Sequence, residues 1–168
     1  MRRILSAVAA LAAVAAVAVT PASAGARTPT YTVSGIETGI PAPVGGDVST
    51  SPFAGVAFSW TAGFATWTAD VTHHSLDACA TLGDGCITGG DFSISGRSTV
   101  TGAFVRGSIT QLSGRSVPPC TGKVVYGVSG DLSGGGFATF TARLTHYQVQ
   151  LFGSCVPYFA TVSGSFGP

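Results

Sequence analysis

From residue 54 to residue 166, apolar side chains recur at every second position in runs rich in Val, Thr and aromatics, cut apart by turns containing Gly or Pro. A period of two puts successive side chains on opposite faces of an extended chain, which is the pattern of half-buried strands and not of helices. It predicts strands at 54–62, 64–76, 90–98, 101–112, 123–132, 136–150 and 156–166, after a short one near Tyr31 to Ile36. No later segment has helical periodicity. The connections, such as Ser133 to Gly136 and Val117 to Pro119, are short. Consecutive strands are therefore expected to be antiparallel neighbours, because a parallel pair needs a crossover of about a dozen residues. Some eight strands in an up-and-down meander fit a small closed or partly open β-barrel, which removes exposed edges; a two-sheet β-sandwich is the alternative.

The phase of alternation assigns an inner face. Trp67, Ala69 and Val71 share a side, as do Ala138, Phe140, Ala142 and Leu144. Val124, Tyr126, Val128 and Leu132 form a third row, and Val156, Tyr158, Ala160, Val162 and Phe166 a fourth. Rows that mix large rings with Ala or Gly either fit the taper of a small barrel or leave room for an apolar ligand. Simple filling is the plainer expectation.

The amino terminus has the layout of a secretory signal peptide over residues 1–24. Arg2 and Arg3 precede an apolar run from Ile4 to Val19, and Ala22-Ser23-Ala24 forms a small-residue cleavage site. The run is 16 residues long, short of the roughly 20 that span a bilayer. The mature chain is then expected to start at Gly25, secreted, with Sec export favoured over the twin-arginine route. Residues 25–53 are rich in Pro, Gly, Ser and Thr and read as a mostly irregular segment with one short strand. Residues 54–168 read as the barrel core of a single domain.

Without Arg2 and Arg3 the chain carries six basic against seven acidic side chains, so no basic excess recommends a nucleic acid or an anionic membrane as partner. Ten Phe, four Tyr and two Trp supply a core. The absence of Asn, the single Lys and the abundance of Ala, Gly, Thr and Ser fit a GC-rich genome of the actinobacterial kind.

Cys79, Cys86, Cys120 and Cys155 make an even count in an exported chain, which argues for two disulfides. Up-and-down counting brings all four to one end of the barrel, with Cys79 and Cys86 closing a small loop and Cys120 meeting Cys155. The expected pairs are therefore Cys79–Cys86 and Cys120–Cys155. The longer bridge should contribute roughly 3 to 4 kcal/mol on the loop-entropy model. No C-x-x-C pair suggests a metal, and no nucleotide-binding or hydrolase motif is present, so no cofactor is expected.

His73 and His146 each follow an apolar row in the inward phase and approach the cysteine end. Two imidazoles at a barrel mouth suit general acid–base work near neutral pH, with Gln148 and Tyr158 as nearby donors. Two semi-buried histidines bonded to loop carbonyls are the plainer expectation. His74 should face away from His73, so the two should not share a metal. Asp70 and Asp77 lie near one strand, and Asp91 and Asp131 begin or end others; solvated strand ends explain them more simply than a glycosidase pair. Trp67, Phe140, Tyr126, Tyr158 and Gln148 are the candidate binding residues.

Arg115-Ser116-Val117-Pro118-Pro119-Cys120-Thr121 resembles the reactive loop of Bowman-Birk serine-protease inhibitors. The resemblance implies Arg115 as the specificity residue and Ser116 on the leaving side, with the prolines limiting the ordering cost of binding. Gly114 stands where that family has Thr, and no cysteine precedes the loop to close a ring.

The expected function is that of an exported, non-catalytic binding or surface-interaction module, with an apolar pocket in the barrel as its site for a small ligand. The first alternative is a serine-protease inhibitor directed at an extracellular protease through Arg115 and Ser116. The second is a small barrel enzyme of cyclase or isomerase type that uses His73 and His146.

Overall fold

The computed structural model describes residues 28–168. The export segment expected at 1–24 lies outside the described residues. Nine strands and one short helix follow in the order β1 (Tyr31–Glu37), β2 (Ala42–Gly45), β3 (Val48–Ser59), β4 (Gly63–His74), α1 (Leu76–Leu82), β5 (Ile87–Ser95), β6 (Thr99–Ser113), β7 (Lys123–Ser133), β8 (Thr139–Leu151) and β9 (Ser154–Gly167). From β3 to β9 each strand pairs antiparallel with the next, and β1 pairs with both β9 and β3. Val33 thus faces Ala57 on one side and Gly164 on the other. The result is a closed eight-stranded antiparallel barrel, not a sandwich, with β2 as one extra strand on the start of β3.

Two local expectations are corrected. The strand predicted to begin at residue 54 begins at Val48, and β2 precedes it. The inward side chains of this extension are Ser49 and Ser51, which line the open end of the barrel, so the apolar alternation disappears while the pairing with β4 runs on to Val48 opposite His74. Pro52 is tolerated inside β3 because β1 stops beside it: the Pro52 carbonyl accepts from Thr38 N at 2.9 Å, so its missing N–H faces that same strand end. The second correction is α1, which follows β4 directly and carries Cys79, so that the segment closed by the Cys79–Cys86 bridge begins as helix. Ser75 caps it, its Oγ accepting from Ala78 N at 3.3 Å, and Asp77 sits in the first turn. Seven residues are too few to show a helical period.

Both disulfides form as expected, with Cα separations of 4.8 Å for Cys79–Cys86 and 5.8 Å for Cys120–Cys155. They stand at the same end of the barrel, where β4 and β8 finish and β5, β7 and β9 begin. Two disulfides are compatible with an oxidising extracellular environment. Among the described residues no helix is long and apolar enough to cross a membrane.

The other end is plugged by rings. Phe166 makes edge contacts with Trp67, Phe92, Phe104, Phe137 and Phe140, at centroid distances from 5.0 to 6.4 Å. Edge-to-face packing suits the ring quadrupoles and adds about 0.5–1.5 kcal/mol per pair beyond area burial. Inward glycines make room for the rings: a Cβ on Gly102 would sit 2.5 Å from the Phe92 ring, and one on Gly130 2.8 Å from Phe140. The β7–β8 turn closes this end with Gly134, Gly135 and Gly136 all at positive φ, which only glycine adopts without strain.

Candidate functional site

Above the plug the barrel is hollow. A cavity of about 660 Å³ runs from the aromatic floor to the cysteine end, where it opens to solvent. It arises because the middle layer of inward side chains is small: Ala69, Val71, Val128, Ala142, Ala160 and Val162 stand over Trp67, Phe104, Phe140 and Phe166. The plainer expectation, a barrel filled by its own side chains, is therefore corrected. Above the floor the lining is mostly small side chains, with Phe53 the ring that stands opposite Ala69.

Trp67 is buried against the floor, with its Nε1 donating to the Ser34 carbonyl at 3.1 Å. Gly35 permits this, since a Cβ there would lie 2.9 Å from the indole. Phe140 is likewise buried and lines the cavity. Tyr126 is buried but does not line it. Its ring packs edge-on to His146 at 5.5 Å, and burial, with Asp77 nearby, raises its hydroxyl pKa. Tyr158 is 69% exposed at the rim. The β8–β9 register skips it, Tyr147 facing Phe159 and Gln148 facing Pro157, so a bulge turns the strand outward at the mouth.

His73 and His146 both line the mouth and face inward, as the alternation predicts. His73 Nδ1 lies 2.6 Å from the His74 carbonyl and so donates to it, while Nε2 lies 3.2 Å from the Ser51 hydroxyl. Only one of the two rings is thus tied to a backbone carbonyl. The His146 nitrogens take no hydrogen bond from a described residue, and since no buried polar side-chain atom among the described residues lacks a partner they are not sealed from solvent; the ring lines the cavity mouth. Burial, with a smaller effect of His73, holds the His146 pKa below the usual imidazole value. His74 points outward, as expected, and its Nδ1 meets Asp47 at 3.0 Å, which lowers the Asp47 pKa.

The alternation did not single out Glu37 and Ser51. Glu37 ends β1 in the same phase as Tyr31 and Val33 and reaches the mouth between β9 and β3. Burial raises its pKa, against the lowering effects of the Ser51 hydroxyl and His73. Ser51 is 3% exposed. The available signal was the strand phase carried one step past Gly35, together with Glu37 being the only glutamate in the chain.

Gln148 is not a cavity residue. Its Nε2 donates to the Arg115 carbonyl and, at 2.9 Å, to the Thr121 carbonyl, which clips the loop 114–122 to β8. Arg115 N donates to Thr121 Oγ1 at 2.8 Å. A protease inhibitor must offer the carbonyl of its specificity residue to the oxyanion hole, whereas here that carbonyl already accepts from Gln148. Arg115 and Ser116 themselves are exposed. Of the acidic candidates, Asp70 and Asp91 face each other across β4 and β5 on the outer surface, Asp131 pairs with Arg106 at 2.7 Å, and Asp77 belongs to α1; none lines the cavity. No group of three or more metal-ligating side chains occurs among the described residues. Trp60 and Phe64 are exposed beside Phe58 on the β3–β4 hairpin, at the plugged end and away from the cavity.

The site is an apolar chamber with Glu37, Ser51, His73 and His146 at its entrance. The chain matches no protein-family model, no curated protein and no solved structure, so its functional reading rests on this geometry.

Proposed function

We propose that the chain is an exported, non-catalytic binding protein that holds one small, mostly apolar molecule inside its barrel. The carrying observation is the cavity of about 660 Å³ with an apolar floor and waist. Ligand sites typically occupy about 300–1,000 Å³ and pair apolar walls with a few polar groups that orient the guest. Eight-stranded barrels are of the size that holds one small ligand. The signal-peptide layout and the two disulfides support action outside the cytoplasm. N-phenyl-1-naphthylamine, an apolar fluorophore, tests the reading. It should bind the oxidised protein saturably, one molecule per chain, and be displaced by a medium-chain alcohol such as decanol. Emission that rises without saturation, or that decanol leaves unchanged, overturns it.

A second reading is favoured by one observation, that His73 and His146 face the same chamber. There they would pass a proton to and from a bound molecule, as in a cyclase or isomerase. Conversion of a bound compound that is lost in His146→Phe while the fluorophore still binds would select this reading. Binding without conversion selects the first.

A further inference from the structure

The cavity's charges narrow the class of guest. Glu37 is the only carboxylate that lines it, and among the described residues no lysine or arginine does. Of the described arginines, Arg106 is paired with Asp131 on the outer surface and Arg115 belongs to the loop outside the cavity. His146, half-buried beside Tyr126, is held toward its neutral form. His73 lies close enough to Glu37 to favour its charged form and is the one titratable group at the mouth that does so, its ring held in place by the His74 carbonyl and the Ser51 hydroxyl. Among the described residues the mouth therefore presents one partly desolvated carboxylate with no lysine or arginine in its lining. The aromatic rings of Tyr158 and Phe159 stand on β9, the strand beside β1.

From this juxtaposition we infer that the preferred guest is an apolar molecule with a protonated amine at one end, its ammonium against Glu37 at the mouth and its hydrocarbon over the aromatic floor. The inference rests on the proposed binding function and names the class of ligand. An ammonium supplies Glu37 with a counter-charge inside the partly desolvated mouth. A carboxylate-ended lipid of the same length brings a second negative charge beside Glu37 with no guanidinium or ammonium to receive it. An alcohol end is intermediate, since Ser51 and the free His146 nitrogens supply hydrogen bonds without charge.

Decylamine, decanol and decanoic acid share a chain length and differ in the head group. Their displacement of N-phenyl-1-naphthylamine near neutral pH, with wild type and Glu37→Gln, separates the alternatives. In wild type the amine should bind about tenfold more tightly than the alcohol, and the acid about tenfold more weakly than the alcohol. Glu37→Gln keeps shape and hydrogen bonding. In that variant the amine should lose its advantage over decanol. Decanol binding with an acid as tight as the amine, or an amine preference that survives Glu37→Gln, overturns the inference and leaves the binding function standing. Failure of decanol itself to displace the probe overturns both.

Discussion

Glu37 and His146 face one cavity and act on folding with opposite pH dependence. The Glu37 pKa is raised on folding, chiefly by burial, so its relative contribution to stability is full below the unfolded carboxyl pKa and is lost as pH rises through the folded value. The His146 pKa is lowered, again chiefly by burial. Its contribution is full above the unfolded imidazole pKa and is lost as pH falls through the folded value. Glu37→Gln should therefore raise the Tm near neutral pH and lose that advantage in acid, where wild-type Glu37 is itself neutral. His146→Phe should flatten the decline of Tm below the imidazole range. Thermal melts across pH on the two variants check both signs; an unchanged acid limb in His146→Phe would show that its ring is not the group that titrates there.

Among the elements, the segment 114–122 and the two bridges depend most on a few contacts. On the loop-entropy model the Cys120–Cys155 bridge, spanning 35 residues, contributes about 4 kcal/mol, and Cys79–Cys86, spanning 7, about 2 kcal/mol. Replacing each pair by Ser should lower stability in that order in denaturant unfolding. Gln148→Ala deletes the donor that serves the Arg115 and Thr121 carbonyls, at a local cost of about 1–3 kcal/mol. Trypsin should then cut after Arg115 faster than in wild type, with the barrel intact by circular dichroism; equal rates would show that the clip does not hold the loop. The strands were legible because one face of each meets the apolar interior and the other meets water, so the period is two wherever that boundary exists. It failed at Ser49 and Ser51, where the inner face turns polar at the mouth, and at α1, which has a cap at Ser75 but only two turns. Trp67, Phe140 and both histidines could be placed by phase alone. Gln148 fell in the inward phase too, yet a loop folded back onto it, and no local pattern records such a long-range contact. Tyr158 left its row because a bulge is invisible to alternation.

At the scale of the whole molecule, closure of β1 onto β3 and β9 leaves β2 as the edge strand beside a closed barrel, and the ring plug around Phe166 supplies the dense part of the core. The chamber above it is then the less densely packed half of the barrel, which forgoes dispersion contacts that a filled interior would make. Ala142→Leu adds side-chain volume at the waist. It should stabilise the protein by about 0.5–2 kcal/mol, as cavity filling commonly does, while it removes space for a guest. Stability and binding should thus move in opposite directions, which is the signature of a chamber kept open for a ligand. Trp67 reports on the floor directly once the exposed Trp60 is replaced by Phe. The most direct measurement is a decanol titration of the oxidised Trp60→Phe protein, followed by Trp67 emission, with and without Ala142→Leu. The account predicts a saturable one-to-one change in emission that Ala142→Leu abolishes while its Tm rises. No saturable change, or an equal change in both proteins, would contradict it.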